Sequence, residues 1–238
     1  MYKKKNKVLR IISSINPKFG GPSKTIIDSS ILLTTQGFKV DILTSDPVYS
    51  NFFKSRNIKI INKGPALGNY SFNFSLFFWL LKNKKNYDHF IVHGIWEFNT
   101  LLARLLLKNK YFVFTHGQLD PYFMTEKLKK FKKQVYWFFV EKQNLLCSKS
   151  LLLTSENEKN LLKNTFVNTK DIKKKIIGYG IIKPSYNKIA AKKNFYKKFP
   201  KLKGKKFLLY LGRFHEKKGC LYPRGRNLWE EILNLYKE

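Results

Sequence analysis

Short apolar runs alternate along this chain with stretches whose apolar residues recur at helical spacing, the pattern of a parallel sheet with helices on both faces. Val8-Leu9-Arg10-Ile11-Ile12-Ser13-Ser14-Ile15 reads as a first strand, broken by Asn16-Pro17-Lys18-Phe19-Gly20-Gly21-Pro22. Ser23 then caps a helix to about Gln36, stopped by Gly37. Phe38 to Thr44 is a second strand closed by Asp46-Pro47, Ile58 to Ile61 a short third, and Phe72 to Lys82 a helix. His89-Phe90-Ile91-Val92-His93-Gly94 is a fourth strand, followed by a helix from Glu97 to Leu107 with Leu101, Leu102, Leu105 and Leu106 inward. Tyr111 to Thr115 is a fifth strand ending at His116-Gly117. A long segment, Glu126 to Leu146, carries Leu128, Phe131, Val135, Phe138, Phe139 and Leu145 at helical spacing, while lysines crowd its N-terminal half and its other face. Leu151 to Thr154 is a sixth strand, with Ser155 and Glu158 as a capping box for the next helix. Ile176-Ile177-Gly178-Tyr179-Gly180 closes this part.

A further apolar strand, Phe207 to Leu211, breaks at Gly212 into the basic loop Arg213-Phe214-His215-Glu216-Lys217-Lys218-Gly219, an arrangement that holds anions in α/β proteins. A second domain thus begins shortly before the sequence ends. The expected organisation is a Rossmann-like α/β domain over residues 1–182, a basic linker over 183–205, and the start of an incomplete second domain over 206–238.

The chain has 238 residues, 43% of them hydrophobic, enough for a packed core. Its formal charge of +32 comes mostly from lysine; arginine occurs only at 10, 56, 104, 213, 224 and 226. Lysine is a hydrated point charge rather than a bidentate fork, so specific nucleic-acid reading is disfavoured. Lysine and asparagine rise together while alanine and arginine are scarce, which an AT-rich coding sequence explains by itself; attraction to an anionic membrane face is the functional reading. Two cysteines, Cys147 and Cys220, make neither a disulfide framework nor a metal site, and fit a reducing cytoplasm. The N-terminus lacks a signal-peptide pattern, and the longest apolar run, Tyr70 to Leu81, is too short to span a bilayer.

Candidate chemistry lies at the strand ends. Gly20-Gly21 lets backbone approach a ligand and aims a helix N-terminus at negative charge, or is a plain strand-to-helix turn. His116 stands at the carboxyl end of a central strand, the edge where open α/β sheets bind ligands, or is a structural histidine. His93 and Trp96 end the neighbouring strand and line a pocket, or belong to the core. Glu126 to Leu146 is a basic amphipathic helix for an anionic bilayer, or a surface helix whose stripe packs on the sheet. Arg213 and Lys218 clamp a pyrophosphate, or belong to a solvated basic loop.

Taken in order, Asn16-Pro17 with Gly20-Gly21-Pro22-Ser23, His93-Gly94-Ile95-Trp96, Thr115-His116-Gly117-Gln118-Leu119-Asp120-Pro121, Glu141 in its basic helix, Leu153-Thr154-Ser155-Glu156 and Leu211 to Gly219 resemble the family 4 glycosyltransferases of the GT-B fold. The resemblance implies retaining, metal-independent transfer of a sugar from a nucleotide-diphospho-sugar to a glycan or lipid-linked acceptor, with no further cofactor. It implies His116 beside the reacting sugar, Gly20, Gly21 and His93 in substrate binding, and Arg213 with Lys218 on the donor phosphates. It also implies a cytoplasmic protein, peripheral at the inner face of the plasma membrane. The family text stops at Gly219; Glu230 and Glu238 have the spacing of the family's donor-gripping acidic pair without its glycine-rich loop, so the chain is expected to be an inactive fragment. Two other classes remain open: a basic module binding anionic membrane or polyanion without catalysis, and a Rossmann-like domain of another nucleotide enzyme.

Overall fold

The computed structural model describes residues 6–120, 127–166, 169–178, 180, 182, 185–207 and 209. The chain divides into two compact units, Met1–Ile182 and Lys183–Glu238. In the first unit β1 (Lys7–Ile12), β2 (Lys39–Pro47), β3 (Ile58–Gly64), β4 (His89–His93), β5 (Tyr111–Phe114), β6 (Ser150–Leu153) and β7 (Lys174–Ile176) form one sheet in the order β3-β2-β1-β4-β5-β6-β7. Every pairing is parallel. The protein is therefore an α/β, Rossmann-like fold. The short Ile176 run adds a seventh strand because its backbone pairs with β6, from Leu151↔Lys174 to Leu153↔Ile176.

Strand alternation sends residues to two cores. Leu9, Ile11, Val92, Val113 and Leu151 face a large one, closed by α2 (Phe74–Asn83), α3 (Phe98–Leu107) and α6 (Glu156–Thr165). Ile12, Ile42 and Ile58 face a smaller one beneath Ile26 of α1 (Gly21–Thr35). Each such side chain, fully buried, contributes about 1.5–3 kcal/mol. Helix starts follow local chemistry: the Asn73 side chain accepts from Leu76 N at 3.0 Å ahead of α2, and the Ser155 hydroxyl accepts from Glu158 N at 3.2 Å ahead of α6.

Several expectations need correction. Ser23 is not the cap of α1: Gly20 is, and Ser23 is buried in the first turn, its hydroxyl donating to Ser14 O at 3.3 Å. Strands β2 and β3 extend three residues past the expected ends, because polar Asp46 and Asn62 find partners there. Only half of the capping box forms: the Glu158 carboxylate turns to Thr154 and the loop after β5. On α3 Leu105 is exposed, since Phe98, Leu102 and Leu107 hold the inward face. The basic segment divides into α4 (Lys127–Tyr136), a π-helical turn (Trp137–Glu141) and α5 (Lys142–Leu146). Its buried side is Trp137, Glu141, Asn144 and Leu145, whereas Phe131, Val135, Phe138 and Phe139 are exposed. Trp137 wins the inward position by stacking on Phe166 (centroids 4.3 Å apart), and Tyr111 OH holds Asn144 O.

In the second unit, the segment expected as linker contains α7 (Lys188–Lys198), started by the Asn187 side chain, which accepts from Ile189 N and Ala190 N. Phe207 and Leu209 are exposed; the rest of the expected strand and loop, with Arg213, Lys218 and Cys220, lies outside the described residues.

Candidate active site

The strand order reverses between β1 and β4, whose chains leave the sheet in opposite directions and open a crevice at their carboxyl ends. A cavity of about 700 Å³ lies there, lined among others by Ser13, Ser14, Asp46, Glu97, His116 and Gln118. No lysine or arginine belongs to its wall among the described residues, although the chain carries +32.

From the wall inward runs a chain of three nitrogen-bearing side chains, His116, His93 and Arg10. Arg10 projects from β1 into the smaller core, 4% exposed, and its Nη1 donates to Ile26 O (3.0 Å), Ser29 Oγ (2.6 Å) and Ser30 Oγ (2.9 Å) of α1. Its Nε donates to His93 Nε2 at 3.1 Å, and His93 Nδ1 lies 2.9 Å from His116 Nε2. The direction of these bonds follows from valence. Arginine Nε always carries hydrogen, so His93 Nε2 must accept; the neutral ring then carries its proton on Nδ1 and donates to His116 Nε2. A neutral His116 is left with its own proton on Nδ1, as a donor.

Both histidines are held neutral. Burial, then the charges of Arg10 and of His116, push His93 well below the usual imidazole value. Burial, then Arg10, lowers His116 to about 4. Burial lowers Arg10 itself only to about 9, so it stays cationic at neutral pH. Ring stacking fixes the planes: Phe114 lies 4.4 Å from His116 and 5.7 Å from His93, centroid to centroid.

His116 occupies left-handed backbone (φ 52°), followed by Gly117 at φ 76°. Glu158 pins this turn: one oxygen accepts from Thr115 Oγ1 and from Gly117 N at 3.0 Å, the other from Thr154 N and Oγ1 at 2.8 Å each. Glu97, the residue before α3, accepts from Ser13 Oγ, which itself accepts from Asn99 Nδ2 at 2.9 Å. Burial raises the Glu97 carboxyl, opposed by the Ser13 hydrogen bond. Asp46 is spent on Ser14 Oγ and on Ile15 N at 2.9 Å.

The sequence-predicted residues thus fare differently. His116 reaches the cavity wall. His93 also lines the cavity, although it is 1% exposed and both ring nitrogens are engaged, so its part there is to support His116. Gly20 takes φ 85°, ψ −142°, a conformation for glycine, and its N–H donates to Pro17 O at 3.0 Å. Of this entry turn only Pro22, which lacks an N–H, and Ser23 line the cavity; Gly20 and Gly21 do not. Trp96 packs on Tyr136, Trp137 and Phe166 as a core aromatic. Arg10 and Glu97 were missed as site residues. The signal for Arg10 was a lone cation inside an apolar strand, with Ser29-Ser30 in the next helix to receive it. Among the described residues no group of three or more His, Cys, Asp or Glu is placed to hold a metal ion.

No protein-family model and no curated protein matches this sequence. Among solved structures, the sucrose-phosphate synthase of Thermosynechococcus elongatus shares the fold, with a TM-score of 0.63 at 17% identity over 90% of this chain. This chain spans 57% of that structure. Two others resemble it more loosely, each at a TM-score of 0.49. They are a UGT transferase from Siraitia grosvenorii in complex with UDP (13% identity, 82% of this chain and 55% of that one) and WaaG, a glycosyltransferase involved in lipopolysaccharide biosynthesis (12% identity, 81% and 51%).

Proposed function

We propose that this chain forms the acceptor side of a glycosyltransferase that moves a sugar from a nucleotide-diphospho-sugar to a glycan or lipid-linked acceptor. The observation that carries the reading is a switch-point cavity whose wall, among the described residues, offers hydroxyls, amides, carboxylates and a neutral imidazole, and no cation. Such a wall matches a polyhydroxylated ligand and repels a phosphate, as the acceptor side of the cleft requires. The fold shared with sucrose-phosphate synthase supports the same assignment.

In this reading the neutral His116 ring stands at the cavity wall beside a hydroxyl of the transferring sugar or of the acceptor. Its lone pair on Nε2 is occupied by His93, so it orients and does not abstract a proton. Arg10 and His93 fix that polarity, and Glu97 is the acceptor for a sugar hydroxyl. Transfer breaks the anomeric carbon bond to the diphosphate oxygen and joins that carbon to the acceptor oxygen, whose proton passes to the departing diphosphate. The resemblance adds retention of configuration, independence from metal, and Arg213 with Lys218 as cations for the leaving diphosphate.

Saturation-transfer NMR on the full chain tests the cavity with glucose, glucosamine, glucose 6-phosphate and inorganic pyrophosphate. Glucose and glucosamine are expected to give signals that weaken in His116→Ala and Glu97→Leu, the circular dichroism staying unchanged. Preferential binding of glucose 6-phosphate or pyrophosphate, abolished by the same substitutions, would overturn the acceptor-side assignment.

A further inference from the structure

The outer surface of one helix layer has the wrong polarity for a solvated face. Phe131, Phe138 and Phe139 are 65–69% exposed and Val135 is 43% exposed along α4 and the π turn, at spacings i, i+4, i+7 and i+8. On α2, Phe74 and Phe78 are 62–63% exposed, one turn apart. Helix α3 packs against α2 on one side and against α5 and the π turn on the other, so both aromatic stripes belong to the same layer.

The charges around them have one sign. Positions 127, 129, 130 and 132 of α4 are lysines, as is Lys133, whose Nζ already lies over the Trp96 ring; Lys82 and Lys85 follow Phe78, and no Asp or Glu occurs from 127 to 140 or from 72 to 87. A second copy of this chain is a poor occupant for such a face, because pairing would set lysine against lysine. An apolar stripe rimmed by cations of one sign fits a surface with apolar depth and anionic groups at its boundary.

We propose that the α2–α3–α4 layer docks on an anionic lipid bilayer, with the phenylalanine rings entering the headgroup boundary and the lysines meeting anionic headgroups. This assignment stands apart from the sugar-binding one, since it involves the outer helix surface and not the crevice. It also goes beyond net charge: a cation of +32 would approach any polyanion, whereas rings inserted into lipid add a contribution that a soluble polyanion cannot receive.

Flotation of the full chain with vesicles of phosphatidylcholine, with and without about one third phosphatidylglycerol, tests it. The chain is expected to float with the anionic vesicles. In Phe138→Ser/Phe139→Ser the partition coefficient should fall at least ~10-fold, since two apolar side chains leave the bilayer. Phe74→Ser/Phe78→Ser should lower it too, whereas Tyr49→Ser, 89% exposed and outside the layer, should not. These side chains are largely in solvent, so circular dichroism should stay unchanged. Equal flotation of wild type and Phe138→Ser/Phe139→Ser would overturn the proposal in favour of charge alone, and loss only with α4 substitutions would remove α2 from the face. A dimer dispersed by Phe138→Ser/Phe139→Ser, with no flotation, would overturn it in favour of self-association.

Discussion

Replacing Arg10 by Met isolates what the buried guanidinium does. The shift of His116 from 6.5 to about 4 corresponds to about 3 kcal/mol against the charged ring, and burial is the larger of its two causes, ahead of Arg10. Removing the charge therefore restores less than half: His116 in Arg10→Met should titrate above its wild-type value and still below 6.5. Stability should change little by comparison. The seryl hydroxyls of Ser29 and Ser30 already donate to carbonyls of α1, so the main orphan is His93 Nε2, an unsatisfied buried acceptor costing about 1–3 kcal/mol. Loss of a desolvated charge offsets part of that, leaving about 1–2 kcal/mol of destabilisation.

The sharper readout is the tautomer. In wild type both rings should carry their proton on Nδ1, because Arg10 donates to His93 Nε2 and the polarity propagates to His116. In Arg10→Met nothing enforces that direction, and nitrogen-15 spectra of the side chains should show both tautomers for His93. Finding His93 protonated on Nε2 in the wild-type protein, or an unchanged His116 titration in the variant, would refute the relay.

Other expectations follow from single residues. Glu141 is fully buried and its carboxyl is raised to about 7, mainly by burial; the folded state then holds a proton that the unfolded state has lost between about 4.5 and 7, so this group makes stability fall as pH rises through that window. Glu141→Gln should accordingly raise urea stability at pH 8 by up to about 3 kcal/mol and leave it nearly unchanged at pH 4, and equal effects at both pH values would show that the group does not titrate there. Gly20→Ala should destabilise by about 1–3 kcal/mol through its φ of 85° even though an added Cβ meets open space, while Gly21→Ala, equally unobstructed and inside α1, should be neutral or stabilising. Equal urea midpoints for the two variants would remove the conformational argument at Gly20.

Strands were legible because each is a bounded apolar run, and parallel order follows from the helices between them. The smaller chemistry was harder to see. Ser23 has the residue type of a cap, yet Gly20-Gly21-Pro22 starts the helix three residues earlier: Gly20 alone tolerates the entry conformation and Pro22 fits the first turn. In the basic segment two stripes compete at helical spacing, one of phenylalanines and one of Trp137, Glu141, Asn144 and Leu145. Periodicity favours the more apolar, whereas the structure buries the stripe whose polar members have partners: Glu141 receives Thr100 Oγ1 at 3.1 Å and Asn144 Nδ2 at 3.3 Å. Thr100 sits on α3, so no local pattern reveals that partner. His116 was legible from its place at a strand end, but its role as donor was not, because the residue that decides it, Arg10, lies more than a hundred positions away in sequence.

The charge of the chain is distributed unevenly, and that yields a separation by salt. Lysine positions recur along the sequence of α4, while among the described residues none lines the crevice wall, where Asp46 and Glu97 are the acidic side chains. Contacts of exposed lysines with headgroups decay over a Debye length of about 10 Å at 0.1 M salt and about 3 Å at 1 M. Hydrogen bonds from neutral groups within a cavity have no comparable dependence. Raising the salt from about 0.1 to about 1 M should therefore release the protein from anionic vesicles and leave the glucose signal in saturation-transfer spectra nearly unchanged. If glucose binding fell in parallel with vesicle binding, both would depend on the same cationic surface, and the crevice would not be where sugar binds.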